Sequence, residues 1–249
     1  MENKDSFGLT ASAYRDFRPR YPAALFEFLA SVCAATEAAL DCATGNGQAA
    51  VDLARRFDRV AAFDSSRAQL DAAIADPKVE YRVGTAEAIP FAEREFDLVT
   101  VAQAAHWFDL PRFYRELERV VKPNAVVAIW GYSYCLIEPE IDSIVASELL
   151  APIEPYWAEG RRVIIEKYAS IPFPFDEIDW PEFVAAHEWS RGAYLNYLRT
   201  WSAYKRFVAT AGFDPLPGLE AAIGALWPER ESKIVRFELA GRVGRLPRR

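Results

Sequence analysis

Ala38-Ala39-Leu40-Asp41-Cys42-Ala43-Thr44-Gly45-Asn46-Gly47-Gln48-Ala49-Ala50 is the stretch on which the fold turns. The apolar run at its start is too brief for a helix and stops at Thr44-Gly45-Asn46-Gly47, so it reads as a strand meeting a tight turn. Ala50, Leu53, Ala54 and Phe57 then recur at helical spacing. Residues 60–64 form another short apolar run ending in Asp64, which completes a strand-helix-strand unit.

Working outward, Pro22 suits a first helical turn, and Leu25, Phe28, Leu29 and Val32 follow on one face. Downstream, residues 79–84 and 98–102 read as strands. Phe113, Leu117, Val120 and Val121 mark a helix started by Asp109 and Pro111 and ended by Pro123, and residues 125–130 make a fifth strand. Such alternation predicts right-handed crossovers and a mostly parallel sheet covered on both faces, with ligands at the carboxyl ends of its strands. The rhythm breaks across residues 133–190, rich in Pro and aromatics, and a stretch this long without clear elements usually has a function. Tyr194, Tyr197, Leu198, Trp201 and Val208 then suggest one helix and residues 219–226 another. Residues 234–243 alternate like a last, antiparallel edge strand.

Composition narrows the class. The chain has 249 residues, 51% hydrophobic and 26% charged, which fits a globular protein rather than a disordered or fibrous one. Its net charge of −7 opposes a nucleic-acid partner. Cys33, Cys42 and Cys135 are too few and too far apart for a disulfide framework or a CxxC site, and two histidines make no metal cluster, so a reducing cytoplasm without a metal is expected. The N-terminal residues carry charges throughout, and no run approaches the roughly 20 apolar residues of a membrane span. The expectation is a soluble, uncleaved chain, monomeric or homodimeric, without a membrane partner.

The glycine turn implies a nucleotide-like ligand, because it lets the backbone approach while the helix start offers free N–H groups. Gly45-Asn46-Gly47-Gln48-Ala49-Ala50 also satisfies the loose dinucleotide pattern with alanine last, which keeps a nicotinamide enzyme in view. Asp41 favours another ligand: a carboxylate at this loop repels a pyrophosphate and attracts a cation such as an amino-acid ammonium. S-adenosylmethionine carries that ammonium, and its ribose hydroxyls suit Asp64. Read separately, the glycines are turn residues and Asp64 is a helix cap.

Together these residues resemble class I S-adenosylmethionine-dependent methyltransferases. The family's D/E-x-G-x-G-x-G loop is matched by residues 41–47, with Ala43 in place of the first glycine, followed by the acid that ends strand two. Gly84-Thr85-Ala86-Glu87-Ala88-Ile89-Pro90-Phe91 is similar to the family's adenine-flanking Gly-Asp-Ala-Glu stretch, with Thr85 where Asp is usual. Ala105-His106-Trp107-Phe108-Asp109, Ala128-Ile129-Trp130-Gly131-Tyr132, Pro155-Tyr156-Trp157, Arg199-Thr200-Trp201-Ser202-Ala203-Tyr204 and the segment at residues 14–22 look like the trans-aconitate methyltransferase group over residues 7–243. The resemblance implies a single α/β domain over residues 1–249 with a Rossmann-like seven-stranded sheet and an antiparallel edge strand. Residues 133–190 are its insertion, a lid over the acceptor. It also implies methyl transfer to a carboxylate of a small acid.

The residues then take roles. Tyr14, Arg18, Asp41, Ala43, Gly45, Gly47, Asp64, Ser65, Thr85, Ala86, Glu87 and Gln103 are the cofactor candidates. Tyr14, Arg18 and Tyr21 precede the first helix, where a segment can fold over the cofactor together with residues 130–181. His106 and Trp107 follow strand four at the cofactor–acceptor junction. His106 positions the acceptor, with a base role where the acceptor is protonated; His187 reads as structural. A carboxylate needs a cationic clamp, for which Arg161, Arg162 and Arg199 are candidates, each of them also readable as an ordinary surface arginine. Tyr21, Trp130, Tyr132, Tyr156 and Trp157 would wall the acceptor, or, like Trp201 and Tyr204, pack a core. A neutral hydroxyl or nitrogen acceptor would need His106 as a base, and a catalytically silent cofactor-binding module is the other reading.

Overall fold

The computed structural model describes residues 19–158 and 160–247. Five parallel strands form its core: β1 Ala38–Cys42, β2 Arg59–Asp64, β3 Val79–Val83, β4 Phe96–Ala102 and β5 Val121–Gly131, in the spatial order β3-β2-β1-β4-β5. β1 is buried along its whole length. It pairs with β2 on one side and β4 on the other, so the strand order reverses beside it. A crevice opens at such a reversal, outside the carboxyl ends of the strands. Asp41, Asp64 and Gln103 are brought to that one edge.

Helices cover both faces. α1 Ala23–Val32 buries Leu25, Phe26 and Leu29, and α2 Gln48–Leu53 buries Val51 and Leu53. α3 Arg67–Asp71 is capped by Ser66, whose side chain accepts from the Gln69 N–H. α4 Leu110–Val120 starts at Asp109, whose carboxylate accepts from the Arg112 N–H, and buries Phe113, Leu117 and Val120. Along β5, Val126, Ala128 and Trp130 join the core layer that holds Leu25 and Leu53, while Val127 and Ile129 join the one that holds Phe113. A strand buried on both faces reads as an unbroken apolar run, which is why residues 125–130 looked continuous in sequence.

Among the described residues the sheet has nine strands rather than seven. β6 Cys135–Leu136 follows β5. α5 Pro139–Val145 continues through a π-helical stretch at Ala146–Leu150 to Ala151–Ile153, and α6 Arg161–Ile165 precedes β7 Asp176–Ile178 and β8 Phe183–Ser190. α7 Arg191–Arg199, α8 Ser202–Ala211 and α9 Leu216–Ile223 lead to the antiparallel β9 Ser232–Arg245. β5 and then β6 pair along one flank of β9, and β7 and then β8 along the other, each couple keeping nearly one register. The extra strands are thus interruptions of two ribbons, and the sheet is effectively seven ribbons wide.

The antiparallel edge is present, but β7 and β8, not residues 234–243, form its outer rim. Strands also occupy part of the 133–190 stretch. β5 starts earlier than residue 125, directly after α4, and accommodates Pro123 and the left-handed Asn124 through a register shift. The single helix expected around Tyr197 is two: Thr200 bonds its hydroxyl back to the Tyr197 carbonyl at 2.6 Å, and Trp201 is extended. Among the described residues, no helix is long and apolar enough to cross a membrane.

Candidate active site

The crevice holds a cleft of about 460 Å³, counting the part open to solvent, lined by Tyr21, Tyr132 and Gln103 on one side and by Asp41 and the turn from Ala43 to Asn46 on the other. Ala43, Gly45 and Gly47 all take positive φ, at 52°, 58° and 84°. The turn is stitched to β2: the Thr44 N–H donates to the Phe63 carbonyl at 2.9 Å, and the Gly45 N–H donates to Asp64 Oδ2 at 2.9 Å. A Cβ on Gly47 would lie 2.0 Å from the Tyr81 hydroxyl, which itself donates to the Ile74 carbonyl. Only glycine satisfies both the left-handed backbone and this close approach.

Asp41 is 1% exposed, yet both carboxylate oxygens are partnered: Thr44 donates to Oδ2 at 2.6 Å and Thr100 to Oδ1 at 2.8 Å. Burial pushes its carboxyl up to about 6, against the pull of the two hydroxyls, and the Asp64 charge adds to the rise. A buried, negatively charged group of this kind is stabilised by a cation entering the cleft. Asp64 accepts from the Gly45 and Ser66 N–H groups, leaving further lone pairs for a diol. Thr85 bridges to Ala88, Ala86 is buried, and Glu87 accepts from the Asp109 N–H at 3.1 Å, so this turn ties β3 to the start of α4. Ser65 is exposed between Asp64 and the α3 cap.

Gln103 marks the far wall. Its φ is 59°, its N–H donates to the Trp130 carbonyl and its Nε2 donates to the Tyr132 carbonyl at 3.1 Å. Beyond it, His106 sits in a 3₁₀ turn, with its ring 4.8 Å from that of Trp107 and against Gly160. Burial, and then the charge of Arg161, push its imidazole down to about 4, so it is neutral at physiological pH. The Arg161 guanidinium lies 3.5 Å from the Trp157 ring centroid and 4.3 Å from that of Tyr134, and donates to Ser133 Oγ at 3.4 Å. Its planar faces are thereby covered by aromatic rings, while its edge stays available. Among the described residues no carboxylate ion-pairs with Arg161, and Arg161 Nε, Trp157 Nε1 and His106 Nδ1 are buried without partners.

Other expected site residues are placed elsewhere. Arg162 is exposed and paired with Glu166, and Arg199 is exposed and donates to Asn196 Oδ1 at 2.9 Å. Their helices turn them to solvent, so of the three clamp candidates only Arg161 is packed among other side chains, those of Trp157, Tyr134 and Ser133. Tyr156 packs on Phe207, away from the cleft. Trp130 is wholly buried behind Tyr21, with ring centroids 5.5 Å apart, and serves the wall from within the core. Trp107 is 57% exposed at the rim. Tyr14 and Arg18 lie outside the described residues. His187 stacks on Trp189 and contacts the Arg20 carbonyl. Sequence reasoning passed over Thr100, Ser133 and Tyr134; a hydroxyl inside the otherwise apolar β4 was the available signal for Thr100.

These residues fit an adenosyl sulfonium amino acid: a buried carboxylate for an ammonium, a second acid for a diol, and Asn46 Nδ2, buried in the turn with no partner among the described residues. Comparisons with known proteins agree. Residues 40–129 match the family model of a methyltransferase domain. A Dictyostelium discoideum protein named as a methyltransferase is 34% identical over 223 residues, 88% of this chain and 85% of its own. A solved structure from Anaeromyxobacter dehalogenans, described as a type II methyltransferase, superposes with a TM-score of 0.88 at 39% identity, covering 93% of this chain and all of that one. An uncharacterized methyltransferase of Mycobacterium tuberculosis is 38% identical over 128 residues, about half of each chain.

Proposed function

Because this chain belongs to the class I S-adenosylmethionine-dependent methyltransferases, we propose that it esterifies a carboxylate of a small, trans-aconitate-like organic acid held at Arg161. The observation that carries this reading is Arg161: a guanidinium stacked between Trp157 and Tyr134 and, among the described residues, unpaired with any acid, its Nε, Trp157 Nε1 and His106 Nδ1 all buried without partners. Arginine offers a carboxylate two parallel hydrogen bonds, and leaving such a site empty of an anion wastes the donors.

S-adenosylmethionine supplies an electrophilic methyl group on its sulfonium. Asp41 would hold its ammonium, Asp64 its ribose, and Gln103 would line the reacting end. A carboxylate is already ionised at pH 7. Transfer of the methyl group to its oxygen would give an ester and a thioether, with no proton for the chain to move. Opposite charges are neutralised in this step, so excluding water favours it, and alignment supplies much of the rest. Trp157, Tyr134 and Tyr132 form the dry wall, neutral His106 positions the acceptor, and the expected lid, residues 133–190, covers the acceptor. Hydrogen exchange with S-adenosylhomocysteine should protect that segment; unchanged exchange there removes the covering role.

The test is a radiolabelled methyl-transfer screen over mono-, di- and tricarboxylic acids and over neutral alcohols and amines, with Asp41→Ala and Arg161→Ala as controls. Ester formation lost in both variants supports the reading, and turnover only of neutral alcohols or amines overturns it. His106 Nδ1, neutral and without a partner among the described residues, favours a second reading in which a neutral hydroxyl or nitrogen acceptor gives up its proton there.

A further inference from the structure

Behind the wall of the cleft lies a buried hydroxyl that the mechanism above does not use. Tyr168, just past α6, is 0% exposed, and its hydroxyl has no hydrogen-bond partner among the described residues. A buried phenol normally finds a partner, and an unpaired one costs stability. The backbone that delivers it is unusual as well: Lys167 and Tyr168 both take positive φ, at 53° and 63°. Two successive left-handed non-glycine residues hold strain, and strain of this kind gathers where a function keeps it.

The hydroxyl arrives at one place. A Cβ on Gly131 would lie 2.3 Å from the Tyr168 hydroxyl and 2.7 Å from Gln103 Oε1, so these two oxygens are no more than about 5 Å apart with glycine alone between them and the strand. Gln103 also takes positive φ, and its Nε2 is committed to the Tyr132 carbonyl, which leaves Oε1 as the acceptor turned towards Tyr168. Three left-handed residues and one close-approach glycine thus converge on the side chain that lines the reacting end of the cleft.

We propose that Tyr168 is a positioning residue: when cofactor fills the cleft, its hydroxyl donates to Gln103 Oε1, fixes the Gln103 amide against the cofactor and ties α6, which carries Arg161, to the cofactor site. The link acts through Gln103. It requires the S-adenosylmethionine site but not the identity of the acceptor, so it stands or falls separately from the carboxylate reading.

Titration calorimetry with S-adenosylhomocysteine tests it without any acceptor. Tyr168→Phe keeps the ring and removes only the oxygen. Unliganded, this variant should melt at the wild-type temperature or above, while its Kd for S-adenosylhomocysteine rises five- to tenfold. In a Gln103→Ala background the same substitution should change Kd by less than twofold, since its partner is gone. A Tyr168→Phe enzyme that binds like wild type overturns the proposal, and so does an equal loss with and without Gln103.

Discussion

The Thr100 hydroxyl lies 2.8 Å from Asp41 Oδ1 and 3.2 Å from the Leu40 carbonyl, and donates chiefly to the carboxylate, the shorter and charge-assisted partner. With Thr44 on the other oxygen, it is what lets a carboxylate remain usable at 1% exposure. Thr100→Val preserves shape and removes that donor. Hydrogen bonds to charged groups contribute about 1.5–3 kcal/mol, so the Asp41 carboxyl should rise further and the Kd for S-adenosylhomocysteine at pH 7 should weaken roughly tenfold or more. Calorimetry checks this; unchanged affinity would mean that Thr44 suffices alone.

Asp41 also sets a pH dependence. Its folded-state carboxyl at about 6 lies above the ordinary 3.8, so the folded chain binds this proton more tightly than the unfolded one. Stability from this group is therefore greatest at low pH and is lost as pH rises from about 4 through 6, a cost of about 3 kcal/mol once the group is ionised. A bound ammonium reverses the preference. Cofactor affinity should fall tenfold per unit below pH 6, with proton release on binding, seen as buffer-dependent heats. Asp41→Asn should raise the melting temperature of the unliganded protein at pH 7.5 by several degrees while weakening S-adenosylhomocysteine at least tenfold. A variant that both melts lower and binds normally would contradict the sign.

Much of this centre was legible in sequence because its residues are neighbours along the chain. Asp41, the glycine turn and Asp64 fall at the ends of strands whose apolar runs declare them, and a parallel sheet carries such ends to one edge. The acceptor side was not legible in the same way. Arg161, Arg162 and Arg199 look alike as letters, and helix rotation alone turns one inward and two to solvent. Thr100 and Tyr168 act across long separations, where only the folded register brings them to Asp41 and Gln103. The antiparallel rim was misplaced for a related reason: alternation identifies a strand but says nothing about its neighbours, and β7 is too short to show alternation at all.

The two glycines of the turn should separate cleanly. Both are left-handed, but a Cβ on Gly45 meets nothing within 4 Å among the described residues, whereas one on Gly47 lies 2.0 Å from the Tyr81 hydroxyl. Gly45→Ala should cost about 1–2 kcal/mol, the backbone penalty alone. Gly47→Ala adds a clash with a tyrosine pinned to Ile74, and should unfold at clearly lower denaturant. Chemical denaturation midpoints decide it, and equal losses would place the cost in backbone strain only.

The single inward arginine makes the sharpest expectation for catalysis. Its guanidinium stacks on two rings, so in the proposed clamp charge alone does not replace it. Arg161→Lys retains the charge but loses the planar fork, and kcat/KM for an acid acceptor should fall about a hundredfold, in line with about 2–3 kcal/mol for a charge-assisted pair. Arg162→Ala and Arg199→Ala, which remove contacts to Glu166 and to Asn196 and Tyr204, should change it less than twofold. Affinity for S-adenosylhomocysteine should stay within twofold in all three variants, since none touches the cleft beside Asp41. With saturating cofactor, kcat should be flat between pH 6 and 8, because His106 titrates at about 4 and a carboxylate acceptor needs no base. Followed to lower pH, a kcat limb near pH 4 that vanishes in His106→Asn would instead assign His106 the proton of a neutral acceptor, and Arg161 would then be a structural stack.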